Sequence, residues 1–159
     1  MTYTRQQLIV CAALGSALLL GGAFVFQALG YAPCKMCIWQ RYPHAIAIAI
    51  GALAFFVPRS AFLLLGAMAA LITAAVGGFH AGVEQGWWEG PTSCSSAPVD
   101  DLDPNALFEQ IMAAPLVRCD EIAWQMLGLS MAGWNMVISL GLAGIWLAAL
   151  SRPLKRLPR

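Results

Sequence analysis

Four largely apolar stretches, each close to twenty residues long, constrain the fold of this chain more than any other feature. They cover residues 8–29, 37–57, 61–79 and 127–150. A helix needs about 20 apolar residues to cross a hydrocarbon core roughly 30 Å thick. Because 60% of the residues are hydrophobic and only 11% are charged, we predict an all-α integral membrane protein. Its four transmembrane helices would form one bundle and one domain, residues 1–159.

The basic residues near the span ends predict the orientation of the bundle. One side carries six of them: Arg5, Arg59, Arg152, Lys155, Arg156 and Arg159. Lysine and arginine concentrate on the cytoplasmic side of membrane proteins, so both termini are predicted to be cytoplasmic. The long loop, residues 80–126, then lies outside and holds all eight acidic residues. The net charge of +1 provides no basic stripe for nucleic acid.

The loop contains one predicted helix and several solvated charges. Asp103 and Pro104 resemble an N-cap followed by a first helical residue. The apolar residues that follow fall on one helical face: Leu107, Phe108, Ile111 and Met112. This short amphipathic helix would lie either on the membrane surface or on top of the bundle. Glu84 and Glu89 are predicted to be solvated loop charges.

Four of the five cysteines lie on the predicted outer side, namely Cys34, Cys37, Cys94 and Cys119. Disulfides persist in oxidising compartments outside the cytoplasm, and four cysteines allow three pairings. The fifth, Cys11, lies inside the first span. We predict that Cys11 is a small buried hydrophobe with no chemistry.

Cys34 and Cys37 form a C-x-x-C pair, which suits a zinc site, a structural disulfide or a redox dithiol. Zinc is disfavoured because the chain has no second pair of closely spaced ligand residues, so no metal is predicted. The pair opens a membrane helix, whose dipole favours a thiolate at its start. Arg41 follows Cys37 by four residues and would share its face. We therefore predict a redox-active pair, and interfacial anchoring is the alternative role for Arg41.

His44 is less informative, because Pro43 precedes it. That proline could be the first helical residue of the true span, with residues 37–42 as a lead-in. His44 is then predicted to be a histidine at a helix end, without chemistry. Arg118 stands next to Cys119, where its charge would favour the thiolate.

The segments "CKMCIWQR" and "CDEIAWQMLGLSMAGW", together with Cys94, Cys119 and the order of four spans, resemble the bacterial disulfide-bond-formation protein B (DsbB) family. Members of this family are inner-membrane oxidants of the periplasmic thiol oxidase DsbA. The resemblance covers nearly the whole chain, and the second segment is the more specific one.

The resemblance implies a relay of electrons from protein thiols to a membrane quinone, either ubiquinone or menaquinone. A reduced DsbA-like thioredoxin-fold partner would attack a Cys94–Cys119 disulfide at Cys94. Cys119 would then attack Cys34 and release Cys37 as a thiolate beside the quinone. Arg41 would lie near the quinone ring. His80 would either give a hydrogen bond or proton to the quinone or be an ordinary helix-end histidine.

The redox potentials of disulfides support this direction of electron flow. DsbA lies at about −120 mV, and ordinary structural disulfides lie below about −300 mV, a difference of roughly 8 kcal/mol for two electrons. A relaxed disulfide could not reoxidise such a partner. The terminal acceptor must therefore lie outside the polypeptide, and a lipid-soluble quinone is suitable.

Two other functions compete with this hypothesis. A vitamin-K-epoxide-reductase-like protein is also a quinone-linked helical bundle, but there the loop pair precedes the C-x-x-C pair. The order is reversed in this chain. A membrane scaffold with structural disulfides is the non-catalytic alternative, and it predicts inert cysteines and no use of quinone.

Overall fold

The computed structural model describes residues 3–57, 59–91, 103, 105, 108, 112 and 117–153. The regular elements within these residues are α1 (Arg5–Ala28), α2 (Lys35–Phe56), α3 (Ser60–Glu84), β1 (Gln125–Met126), β2 (Leu129–Ser130) and α4 (Met131–Leu150). The four helices pack in a ring, because α1 and α3 each contact both α2 and α4. The prediction that the chain folds mainly into α-helices is confirmed.

Side-chain caps fix where three of these helices begin. Thr4 and Gln7 form a reciprocal capping box at the start of α1. Cys34 caps α2 by accepting the backbone N–H of Cys37, and Ser130 caps α4 by accepting that of Gly133. Each cap satisfies one of the N–H groups that the first helical turn leaves without a partner.

Three helices are long and apolar enough to cross a membrane, as far as the described residues show: α1 with 24 residues, α3 with 25 and α4 with 20. Many large apolar side chains on these helices are exposed, among them Leu18, Leu64 and Leu147. Exposed apolar helix faces of this extent suit contact with lipid. The chain is therefore a membrane protein. Helix α2 has 22 residues and contacts both α1 and α3.

Several predicted boundaries are wrong. Helix α2 begins at Lys35 and runs unbroken through Pro43, so the proline is not its first residue. Helix α3 continues past residue 79 to Glu84. Residues 127–130 are not helical, because Leu127 and Gly128 form the turn of the hairpin between β1 and β2.

The predicted cap in the long loop is confirmed. The backbone N–H of Asn105 donates to Oδ1 of Asp103 at 2.8 Å. Asn105, Phe108 and Met112 have helical conformation, and Phe108 and Met112 are exposed. Leu107 and Ile111, which complete the predicted apolar face, lie outside the described residues.

A tryptophan occupies the centre of the bundle because a glycine leaves room for it. Trp146 of α4 is fully buried, at 0% exposure. A Cβ atom added at Gly66 of α3 would lie 2.6 Å from Cε2 of this indole. Real Cβ atoms do not approach so closely, so the glycine permits the close packing of α3 and α4.

We predict that Gly66→Ala destabilises the bundle by about 1 to 3 kcal/mol, because the added methyl group overpacks against Trp146. Unfolding in detergent micelles, followed by circular dichroism, measures the change. Gly141→Ala is the matched control, since nothing lies within 4 Å of a Cβ there. This control should be neutral or slightly stabilising. Equal stability of the two variants would contradict the packing account.

Candidate redox site

The two sulfurs of the C-x-x-C pair touch at the start of α2. The thiol of Cys34 donates to Sγ of Cys37, with the sulfurs 3.1 Å apart. A disulfide bond measures about 2.05 Å, so this is a dithiol pair in contact. The backbone N–H of Cys37 also donates to Sγ of Cys34, at 3.3 Å. Cys34 is buried and Cys37 is half-buried.

The two cysteines have different proton affinities. The hydrogen bond to Cys37, followed by burial, raises the pKa of the Cys34 thiol well above its ordinary value. Cys34 therefore holds its proton and offers it to the sulfur of Cys37. A hydrogen bond of this kind stabilises negative charge on the acceptor. The geometry thus favours Cys37 as the sulfur that carries charge.

Cys119 packs against this pair. It is fully buried and shares one cluster with Cys34, Met36 and Val83, and Cys37 borders the cluster. The fold therefore brings together three of the four cysteines predicted for the site. Cys94 lies outside the described residues. The pairing of the loop cysteines stays a prediction.

His80, which the sequence predicts to lie just past the third span, is adjacent to these cysteines. It belongs to α3 and is only 2% exposed. Its Nε2 is 3.5 Å from Sγ of Cys34, and a hydrogen bond joins its ring to the backbone of Cys119. His80 is therefore not an ordinary helix-end histidine without contacts, and its role towards a quinone stays a prediction. His80 instead contacts two of the cysteines.

The tautomer of His80 follows from its second ring nitrogen. Nε2 of Gln40 lies 3.0 Å from Nδ1 of His80. An amide nitrogen only donates, so Nδ1 accepts and the ring proton is on Nε2. The ligand atoms of Cys34, Cys37 and His80 lie within 4.8 Å of one another. This tautomer, however, offers no lone pair at Nε2 to a metal ion, and the absence of a metal stays a prediction.

Below the cysteines, Asn135 of α4 ties three helices together. Its Nδ2 donates to Oε1 of Gln40 at 2.9 Å and to Oγ1 of Thr73 at 3.0 Å. Its Oδ1 is 2.8 Å from Nε2 of His44, and Ser139 donates to the same oxygen at 3.4 Å. The prediction that His44 stands at a helix end is wrong, because His44 is buried in this network.

Gln40, Thr73 and Asn135 are not among the residues predicted for the site. A signal for them was present, because polar side chains inside apolar spans almost always face the interior of a bundle. Their partners could not be identified, since Gln40 and Asn135 are separated by 95 positions.

A cavity of about 410 Å³ opens beside the cysteines. Polar residues form part of its wall, among them Cys34, Cys37, Gln40, Arg41, His44, His80, Glu84, Arg118, Glu121 and Asn135. Apolar residues of α1 and α4, among them Leu18, Phe26 and Trp134, form much of the rest. Cavities of this size, mostly apolar with a few polar groups, are typical sites for small molecules.

Arg41 reaches the cavity while bonded to α1. Its Nη1 donates to Oε1 of Gln27 at 2.7 Å, and its Nη2 donates to the carbonyl of Ala23 at 3.4 Å. The ring of Phe24 lies 4.9 Å from its Cζ. Arg41 is thus held at the cavity wall by Gln27, which was not predicted to belong to the site.

Two further predictions are wrong. The side chain of Glu84 is 6% exposed, and its Oε1 is 3.8 Å from Nε2 of His80. It is therefore buried at the site instead of solvated, whereas Glu89 is exposed as predicted. Cys11 is exposed on the outer surface of α1 and not buried.

Arg118 pairs with carboxylates. It donates to the two carboxylate oxygens of Asp120 at 2.6 and 2.9 Å, and its Nε is 3.4 Å from Oε1 of Glu121. The hydrogen bond to Asp120 raises the pKa of Arg118, and the same contact lowers the pKa of Asp120. An effect of Arg118 on Cys119 stays a prediction.

The fold and the site define a class: helical membrane proteins with a buried dithiol, a further cysteine packed against it and an adjoining cavity. The model of the family described as Disulfide bond formation protein DsbB matches residues 5–149. The chain belongs to this family, and the predicted resemblance is confirmed.

Individual relatives agree with this assignment. Disulfide bond formation protein B of Stutzerimonas stutzeri is 32% identical over 92% of this chain and 95% of the relative. The protein of the same name from Pasteurella multocida is 33% identical, covering 86% and 83%. That from Polaromonas naphthalenivorans is 28% identical and covers 91% of each chain. No solved structure matches the chain.

We predict that Asn135→Leu destabilises the protein by about 1 to 3 kcal/mol, because buried polar groups of Gln40 and His44 lose their partners. Unfolding in detergent micelles measures this loss. Ser139→Ala is the matched control, since it removes only the 3.4 Å hydrogen bond to Asn135, and it should cost about 0.6 kcal/mol or less. If the two variants were equally stable, Asn135 would not tie the helices together.

Proposed function

We propose that this protein is a quinone-dependent protein thiol oxidase of the bacterial inner membrane. It would reoxidise a periplasmic DsbA-like thioredoxin-fold protein and pass the electrons to ubiquinone or menaquinone. The observation that carries the proposal is the packing of Cys119 against Cys34, with Cys37 at the wall of the cavity. Cys119 of the loop is thereby adjacent to the cysteines at the start of α2.

The proposed relay consists of thiol–disulfide exchanges. A partner thiolate attacks Cys94 of the Cys94–Cys119 disulfide, and Cys119 leaves as a thiolate. Cys119 then attacks Cys34 of the Cys34–Cys37 disulfide, and Cys37 leaves as the new thiolate. Each step forms one sulfur–sulfur bond and breaks another. The partner's second thiolate then attacks the partner's own sulfur in the mixed disulfide and releases Cys94, so the partner gains a disulfide and loses two electrons and two protons. The Cys94 thiolate attacks Cys119, which re-forms the Cys94–Cys119 disulfide and releases Cys34. The two electrons then reside on Cys34 and Cys37, whose disulfide would re-form when a quinone takes them.

The chain's own residues suit a quinone beside Cys37. A bound quinone would accept two electrons and two protons and depart as quinol. The cavity wall is mostly apolar, which suits the ring and its tail. Arg41 would hold the ring through its guanidinium N–H groups. His80 keeps its Nε2 proton beside Cys34, where it stabilises charge on sulfur during the exchange.

We further propose that α2 is the fourth transmembrane span. With 22 residues it is about 33 Å long, enough to cross the hydrocarbon core. Its polar residues Gln40 and His44 are buried within the bundle, so lipid does not meet them. The chain is then one domain with the long loop in the periplasm and both termini in the cytoplasm.

We predict that purified protein, mixed with quinone and a reduced DsbA-like protein, produces partner disulfide and quinol in equal amounts. Cys37→Ser should abolish quinol formation, and Cys94→Ser should prevent a mixed disulfide with the partner. Cys11→Ala is the control and should keep full turnover, because Cys11 lies on the outer surface of α1. Thiol assays and quinone absorbance follow the two products. A scaffold would give neither product.

We also predict that Arg41→Ala raises the apparent KM for quinone about tenfold or more, because a charged hydrogen bond contributes about 1.5 to 3 kcal/mol. Gln27→Leu should raise the KM less, since this substitution removes one hydrogen bond to the guanidinium but keeps the guanidinium itself. Disulfide exchange with the partner should be unchanged in both. Arg152→Ala is the control, at the opposite end of the bundle. An unchanged KM for Arg41→Ala would make this residue a lipid anchor.

A further inference from the structure

The hairpin before α4 has a leucine where its turn disfavours one. Gln125 pairs with Ser130 and Met126 with Leu129, so Leu127 and Gly128 form a two-residue turn. Their φ angles are 53° and 79°. Positive φ at both central residues is typical of a type I′ turn, which strongly prefers Asn-Gly. Leucine adopts this conformation rarely.

The leucine gains nothing from packing, because Leu127 is 86% exposed. Met126 and Leu129 beside it are also exposed apolar residues. The segment from Trp124 to Trp134 contains no charged residue. The turn therefore exposes apolar side chains, and it has a leucine at the position where asparagine would fit the backbone conformation better.

The length of α4 determines where this turn lies relative to the bilayer. Its 20 residues are about 30 Å long, which equals the thickness of the hydrocarbon core. If α4 spans the membrane, Met131 lies at the core boundary and the hairpin lies in the interfacial layer. The indole N–H of Trp134 donates to the carbonyl of Met126 at 3.0 Å, which ties the hairpin to the first turn of α4.

We propose that the tip of this hairpin, formed by Met126, Leu127 and Leu129, inserts into the edge of the hydrocarbon core at the cysteine-bearing end of the bundle. The occupant of this apolar surface is lipid and not a protein partner. Continuity with a spanning helix, the absence of charge and the interfacial position of Trp134 all favour lipid. Insertion accounts for a leucine at this turn.

The same hairpin borders the cavity. Met126 and Trp134 line it together with Leu18 and Ala23 of α1. Next to the hairpin, Trp124 meets Phe26 of α1, with ring centroids 5.0 Å apart. The inserted tip would thus be the lip between the bilayer and the cavity, over which a hydrophobic quinone passes. This second role rests on the proposed function, whereas insertion itself does not.

Photocrosslinking tests insertion directly. A genetically encoded diazirine analogue of leucine at position 127 of the full-length protein is irradiated in phosphatidylethanolamine and phosphatidylglycerol vesicles. We expect phospholipid adducts by mass spectrometry. The same analogue at Glu89, an exposed residue beyond α3, should give few. Adducts at position 127 that are no more frequent than at Glu89 would overturn the proposal.

Leu127→Asn separates the two roles. Asparagine suits the turn, so the melting temperature should be kept or raised, and Leu127→Met should behave as the wild type. In vesicles with a long-tailed quinone, Leu127→Asn should raise the apparent KM several-fold. With a short-tailed quinone in detergent it should not. If position 127 gives lipid adducts but the KM of Leu127→Asn is unchanged, the hairpin inserts into the bilayer but does not affect the passage of quinone. If the wild type shows no turnover with quinone, only the proposed function is contradicted.

Discussion

Polar side chains buried in an apolar bundle must pair with one another, and the structure of this protein depends on how they do so. Asn135 of α4 bonds Gln40 of α2 and Thr73 of α3. Gln40 in turn fixes the tautomer of His80, which contacts Cys34. The contacts that hold three helices together therefore also orient the groups around the dithiol. A change in the network would alter stability and sulfur chemistry together.

The start of α2 gives its two cysteines different surroundings. Cys34 is the N-cap, buried against Cys119, and it donates its proton towards Cys37. Cys37 lies one turn into the helix at the cavity wall, where Arg41 also lies. Both cysteines line the cavity, and Cys34 in addition is buried in one cluster with Cys119 of the loop. This arrangement suits a relay with one entry and one exit for electrons.

The sequence was sufficient to predict the helices and the C-x-x-C pair at a helix start, because these depend on local spacing. It was insufficient to predict that His80 and Glu84 are buried beside the cysteines, since α3 continues five residues past the predicted span. The partners of His44 come from distant helices. Cys11 was misplaced because hydrophobicity cannot separate the lipid-facing surface of a bundle from its core. The hairpin was missed because Leu-Gly replaces the usual Asn-Gly.

The central claim is that electrons pass from Cys119 to the pair at the start of α2. Mass spectrometric mapping of disulfides, after mixing the protein with reduced partner in the absence of quinone and oxygen, tests it most directly. The account predicts a peptide pair joined through Cys34 and Cys119 that disappears when quinone is added. If only Cys34–Cys37 and Cys94–Cys119 pairs were found under both conditions, the two cysteine pairs would not exchange, and the account would be contradicted.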